Sequence, residues 1–160
     1  MKKLSLVLVV VALASAFAAL PFAASADSKE RLVLDERMQI TGPGSAAGTF
    51  ASAGGVNDTG SATAVFSVDN RGNLTGTHTL NGSHGTIVMA TRAKVRPFPP
   101  PTPPRVFMEG TWSITGGTGA YADLEGRGKI LAVADFTDGR LTIIRDGAVE
   151  SGDRDEEDDD

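Results

Sequence analysis

A chain of 160 residues with no cysteine cannot use disulfides, thiolate catalysis or cysteine-bound zinc and iron–sulfur centres, so its fold rests on buried apolar surface. Its net charge of −5 is gathered at one end: Glu150 to Asp160 carries eight acids against Arg154, whereas Asp27 to Val149 carries twelve acids and twelve bases. The body is therefore neutral, without the basic stripe that follows a nucleic-acid backbone, and no nucleic-acid partner is expected.

Met1-Lys2-Lys3, an uncharged apolar run to Leu20 and the small-residue site Ala24-Ser25-Ala26 describe a secretory signal peptide over residues 1–26, cleaved after Ala26. An uncleaved membrane anchor is the alternative, since the run approaches the ~18 residues that suggest a span. Pro21 and the A-x-A site favour cleavage, which leaves an exported protein, secreted or periplasmic, with no membrane partner. Residues 27–149 have the length of one domain, and residues 150–160 read as a disordered acidic tail, because dense like charge cannot bury enough surface to order itself.

From Arg31 onward the apolar period is two rather than 3.6. Leu32, Leu34, Met38 and Ile40 share one face; Ala46 to Ala53 is a weaker segment; Ala62, Ala64, Phe66 and Val68 form the next clear strand. Leu74, His78 and Leu80 follow, then Ile87, Met89, Ala93 and Val95, then Val106, Met108, Trp112 and Ile114. Two late strands, around Lys129 to Phe136 and Arg140 to Asp146, meet at Asp138-Gly139, a strong hairpin signal. About eight short strands with one apolar face and turn residues between them predict an all-β fold, an eight-stranded antiparallel β-barrel or, less economically, a two-sheet sandwich. Closure would remove the exposed edges of an open sheet. Between Val95 and Val106 the run RPFPPPTPPR is expected to form a stiff polyproline II rim loop.

The stretch GGTGAYADLEGRGK, Gly116 to Lys129, allows two readings. Gly117 to Ala122 fits the letters of a dinucleotide fingerprint, with Asp138 near the ribose-binding distance. That fingerprint needs its glycines to open a helix, and Gly126 and Gly128 leave room here for barely one turn. The other reading is a barrel corner. Gly116-Gly117 would take positive φ, Tyr121 and Leu124 would lie across the barrel end, and Gly126 and Gly128 would let the next strand run close to its neighbour.

The same residues resemble the GGTG-x-[FY]-x-x-x-x-G signature of plant dirigent proteins and allene oxide cyclase-like barrels, which include exported bacterial relatives of unassigned role. Gly116, Gly117, Thr118, Gly119, Tyr121 and Gly126 carry the pattern; the looser likeness spans most of Arg31 to Arg145. The resemblance implies an eight-stranded antiparallel barrel around an apolar cavity, assembled as a dimer or trimer. The polar pocket residues of those families cannot be matched to positions in this chain.

Two polar residues fall on apolar faces. Glu36 interrupts the first strand's row and His78 the fourth's, where burial or mutual pairing would make them acid–base candidates. The alternatives are a bulge or strand end that leaves Glu36 facing water, and a satisfied core histidine. Trp112, Tyr121, Phe66 and Met89 are the candidate ligand-binding side chains, with plain core the alternative for Trp112. Ser83 and His84 adjoin, but neighbours in a strand face opposite ways, so no contact between them is expected, and there is no G-x-S-x-G elbow. Two histidines give no metal site, and no cofactor is implied. The functional expectation is a barrel that binds a small apolar molecule inside; the alternatives are an isomerase of the allene oxide cyclase or dirigent kind acting on a lipid epoxide, and a structural oligomeric barrel without ligand.

Overall fold

The computed structural model describes residues 29–98 and 104–152; the expected signal peptide, the proline run at 99–103 and the acidic residues from 153 onward lie outside the described residues. Nearly everything described is strand: β1 (Glu30–Gly42), β2 (Ser45–Gly54), β3 (Thr59–Val68), β4 (Asn73–Gly82), β5 (Thr86–Pro97), β6 (Arg105–Gly117), β7 (Leu124–Asp135) and β8 (Arg140–Ser151). A single 3₁₀ turn, Gly119–Tyr121, precedes β7.

Each strand pairs antiparallel with the next, and β1 pairs with β8 from Glu30↔Val149 to Gln39↔Arg140, so the sheet closes into an eight-stranded antiparallel barrel. Two-residue alternation fixes which side chains look inward: Leu32, Leu34, Glu36 and Met38 of β1 are buried, and the residues between them are exposed or half-buried. A barrel of eight strands is just wide enough for side chains from opposite walls to meet and fill it. Leu32, Leu34, Leu80, Ile87 and Met89 are no more than 1% exposed. Each contributes roughly 1.5–3 kcal/mol by leaving water.

Three strand ends depart from the pattern expected above. β6 runs past Ile114 to Gly117, β7 starts at Leu124 rather than Lys129, and β8 continues through Asp146 to Ser151, so Glu150 and Ser151 belong to the barrel wall and not to the expected tail. The glycines that look like strand breakers lie in register instead: Trp112 stands opposite Gly128, and Gly128 opposite Gly147. The indole of Trp112 needs that room, because a Cβ on Gly147 would lie 2.6 Å from its Cζ2.

The corner before β7 also differs in detail. Positive φ falls on Gly119, at 61°, and not on Gly116 or Gly117. Gly117 is required for close approach, since a Cβ there would lie 2.0 Å from the Tyr121 carbonyl oxygen, whereas a Cβ on Gly116 would meet nothing within 4 Å. Gly126 and Gly128 are tight as well, at 2.6 Å from Val149 Cγ1 and 2.2 Å from the Asp146 carbonyl oxygen. Tyr121 and Leu124 are buried across this end of the barrel. Since the turn at Gly119 is a three-residue 3₁₀ element and every strand pair is antiparallel, the dinucleotide reading has neither its helix nor its parallel strands.

The two barrel ends are built differently. One carries the β1–β2, β3–β4, β5–β6 and β7–β8 connections. The other carries the β2–β3, β4–β5 and β6–β7 connections, and there the 3₁₀ turn is tied to the β4–β5 turn by Ala120 N–H donating to the His84 carbonyl at 2.9 Å.

Candidate functional site

Glu36 lies midway along β1 in unbroken register, opposite Phe50 of β2 and Ile143 of β8. The irregularity in β1 falls between Ile40 and Gly42, so the bulge that would have turned Glu36 to water is not there. Its side chain points into the barrel and is 0% exposed. A bare carboxylate in that position would be very costly, so its partners matter.

It has two. Arg145 Nε, on β8, donates to Glu36 Oε1 at 2.6 Å, and His78 Nδ1, from β4 across the barrel, lies 2.9 Å from Oε2. Arg145 is itself fully buried, and its Nη1 donates to Thr91 Oγ1 of β5 at 2.9 Å. Burial works against the charge on Glu36, but the hydrogen bond from His78 and the positive charge of Arg145 outweigh it, and the carboxyl sits below its ordinary range. An ionised carboxylate only accepts, so the hydrogen between the two side chains belongs to His78 Nδ1. Arg145 Nη2 is buried with no protein partner among the described residues.

This chain of four side chains spans the interior from the β1–β8 wall to the β4–β5 wall. On one side of it lies a cavity of about 130 Å³. Seven of the eight strands contribute to its wall, and of its sixteen lining residues only His78 and Thr91 carry polar side chains. Phe66, Leu74, Met108, Ile130 and Leu141 line its sides, while Val68 and Phe136, 49% and 54% exposed, stand at its mouth. The polar cluster thus forms the inner end of an apolar pocket whose mouth faces the β3–β4 and β7–β8 turns.

Of the four side chains expected to bind a ligand, Phe66 lines this cavity and the other three do not. Met89 is fully buried core. Trp112 is also buried, with Nε1 donating to the Lys129 carbonyl at 3.0 Å. Tyr121 closes the opposite end. Arg145 and Thr91 were not among the expected site residues, although both continue the inward rows of their strands, Leu141-Ile143-Arg145 and Ile87-Met89-Thr91.

The opposite end is closed by a second polar cluster. Asp58, in the β2–β3 connection, accepts from Thr59 N–H (2.8 Å), Ser83 N–H (3.1 Å) and Ser83 Oγ (2.7 Å) at Oδ1, and from Tyr121 OH (2.8 Å) and His84 N–H (3.2 Å) at Oδ2. The Ser83 hydroxyl is the largest of the influences that hold this carboxyl far below the usual carboxylate range. Burial, then the Asp58 hydrogen bond, pushes the Tyr121 phenol up to about 12. Ser83 Oγ does lie 3.0 Å from His84 Nδ1, contrary to the strand argument, because both residues sit in a turn where alternation does not apply. The arrangement is nevertheless not a nucleophile triad. The serine donates straight to the carboxylate, with no histidine between them, and the His84 side chain is 62% exposed. Asp58 ties three connections into one closed end.

A wider cleft of about 1010 Å³ opens where β6 and β7 part beyond the Ser113↔Arg127 pair. It is broad, open to solvent and lined by exposed residues such as Ser113, Thr115, Glu125 and Arg127, and it holds none of the buried polar groups. Among the described residues no group of three or more His, Asp or Glu is placed to hold a metal ion.

The chain matches no family model, no curated protein and no solved structure. Its site is therefore read from its own geometry.

Proposed function

We propose that this barrel is an exported binding protein that takes one small, mainly apolar molecule into the cavity above the Glu36–His78–Arg145–Thr91 cluster. The observation that carries the reading is an enclosed wall of fourteen apolar residues ending on two polar ones, the usual composition of a small-molecule pocket. Size bounds the ligand. An apolar protein cavity of about 150 Å³ accepts benzene, so 130 Å³ suits a single ring or a short branched chain. A larger molecule would have to extend past Val68 and Phe136 into solvent.

The test is calorimetry and thermal unfolding with toluene as the probe. Saturable binding of one toluene per chain, with the melting temperature rising as toluene is added, supports the reading. Unchanged melting and no saturable heat would reject it.

A second reading, an isomerase, draws on one specific feature. A carboxylate that orients an imidazole at the edge of an apolar pocket is the arrangement used to position a general base. The cavity volume favours a compact substrate over a long-chain lipid epoxide. Turnover of small epoxides, lost in His78→Gln, is the result that would place this reading first.

A further inference from the structure

The two polar groups at the inner end of the cavity are held in complementary states. His78 Nδ1 is committed to Glu36 Oε2, so Nε2 is the ring atom left for a ligand, and it accepts when the ring is neutral. Thr91 Oγ1 is committed the other way: it accepts from Arg145 Nη1, which leaves its own hydrogen to donate. The two residues occupy adjacent strands as diagonal neighbours, since His78 stands opposite Met89 and Gly76 opposite Thr91. Both residues line the cavity.

A hydroxyl group satisfies both from a single oxygen, donating to His78 Nε2 and accepting from Thr91. A ketone, a hydrocarbon or a carboxylate does not. A ketone can accept from Thr91 but leaves the imidazole nitrogen unpaired, and a hydrocarbon leaves both groups unpaired. A carboxylate has no proton for Nε2 and would bring a second negative charge beside Glu36. A buried polar group left without a partner costs more than the bond itself adds, so a site built around a hydroxyl discriminates against the analogue that lacks one.

We infer that the ligand is a small phenol or alcohol, its apolar body against Phe66, Leu74, Met108 and Leu141 and its oxygen between His78 and Thr91. This rests on the binding reading above and adds to it the polar group that the cavity recognises. Glu36 and Arg145 are positioning residues in this arrangement: the first sets which ring nitrogen of His78 carries hydrogen, and the second turns Thr91 into a donor.

The experiment compares phenol with toluene, which differ by the group in question, on the full chain. Two added hydrogen bonds predict phenol binding roughly tenfold tighter than toluene. In a ¹⁵N-histidine-labelled sample, phenol should move the His78 Nε2 resonance and toluene should leave it in place. His78→Phe should erase the preference for phenol over toluene; should that chain fail to fold, the wild-type comparison and the nitrogen shift carry the test alone. Equal or tighter toluene binding with no Nε2 response overturns the hydroxyl inference and leaves the binding reading standing. Binding of neither probe overturns both.

Discussion

Arg145 Nε and Glu36 Oε1 are 2.6 Å apart at the centre of the barrel, both side chains 0% exposed, although 109 positions separate them in the chain. Their strands are neighbours only because β1 closes on β8. The pair is thus a direct product of closure, and it joins the last strand to the first inside the core.

Breaking this pair from one side should cost much more than removing it whole. Glu36→Leu leaves the Arg145 guanidinium buried without its counter-charge, a loss of about 3–5 kcal/mol. The double substitution Glu36→Leu with Arg145→Met replaces both charges by apolar groups and should recover most of that loss, because a buried ion pair often does no better than a well-packed apolar one. Urea denaturation of the two single variants and the double variant checks this. A double variant as unstable as the sum of the singles would show that the pair is not a coupled unit.

Asp58 should make the closed end sensitive to acid. Its folded-state carboxyl is depressed, so its contribution is fully present above the unfolded aspartate value of about 3.9 and is lost as pH falls towards the folded one. Wild type should therefore exceed Asp58→Asn in melting temperature at neutral pH, with the gap narrowing in the acidic range below that value. A gap that stays constant from neutral pH down into that range would show that the charge on Asp58 is not what ties the three connections together.

The fold was legible because it depends on alternation, and alternation is local. The rows Leu32-Leu34 and Ile87-Met89 state their own facing, and Glu36 and His78 stand out as polar members of such rows. Arg145 and Thr91 occupy the same kind of position and could have been read the same way. An arginine after Leu141 and Ile143 instead resembles the point where a strand leaves the core, and a threonine between Met89 and Ala93 resembles a neutral spacer. Once the barrel is closed, Glu36 explains why Arg145 is inside, but that pairing is a tertiary fact. The Ser83–His84 contact is not legible for the opposite reason: the two residues form a turn, where the alternation of a strand does not hold. Gly147 shows a third limit: its role is to admit Trp112 from β6, two strands away.

Gly147→Ala should consequently act on the only tryptophan of the chain. The added methyl group would meet Trp112 Cζ2 at 2.6 Å and the Arg127 carbonyl oxygen at 2.3 Å, so indole or backbone must shift. Overpacking of this kind costs about 1–3 kcal/mol. Tryptophan fluorescence should shift to longer wavelength as the indole gains water, together with a lower denaturation midpoint; an unchanged spectrum would mean that Trp112 does not occupy that space.

Filling the cavity separates binding from stability. Ala132→Phe places a ring among the lining side chains from β7, where space exists. Toluene binding should be lost while the unfolding free energy stays within about 1–3 kcal/mol of wild type, the range for small-to-large core substitutions. Toluene binding that survives the substitution would move the binding site elsewhere on the protein.

The most direct measurement is a crystal structure of the protein soaked with iodobenzene, whose iodine is located by its anomalous signal. The expected result is one peak inside the barrel, enclosed by Phe66, Leu74, Met108 and Leu141, with the ion pair of Glu36 and Arg145 intact beneath it. An interior filled by side chains, with no iodine peak at saturating concentration, would contradict the existence of a binding cavity in this barrel.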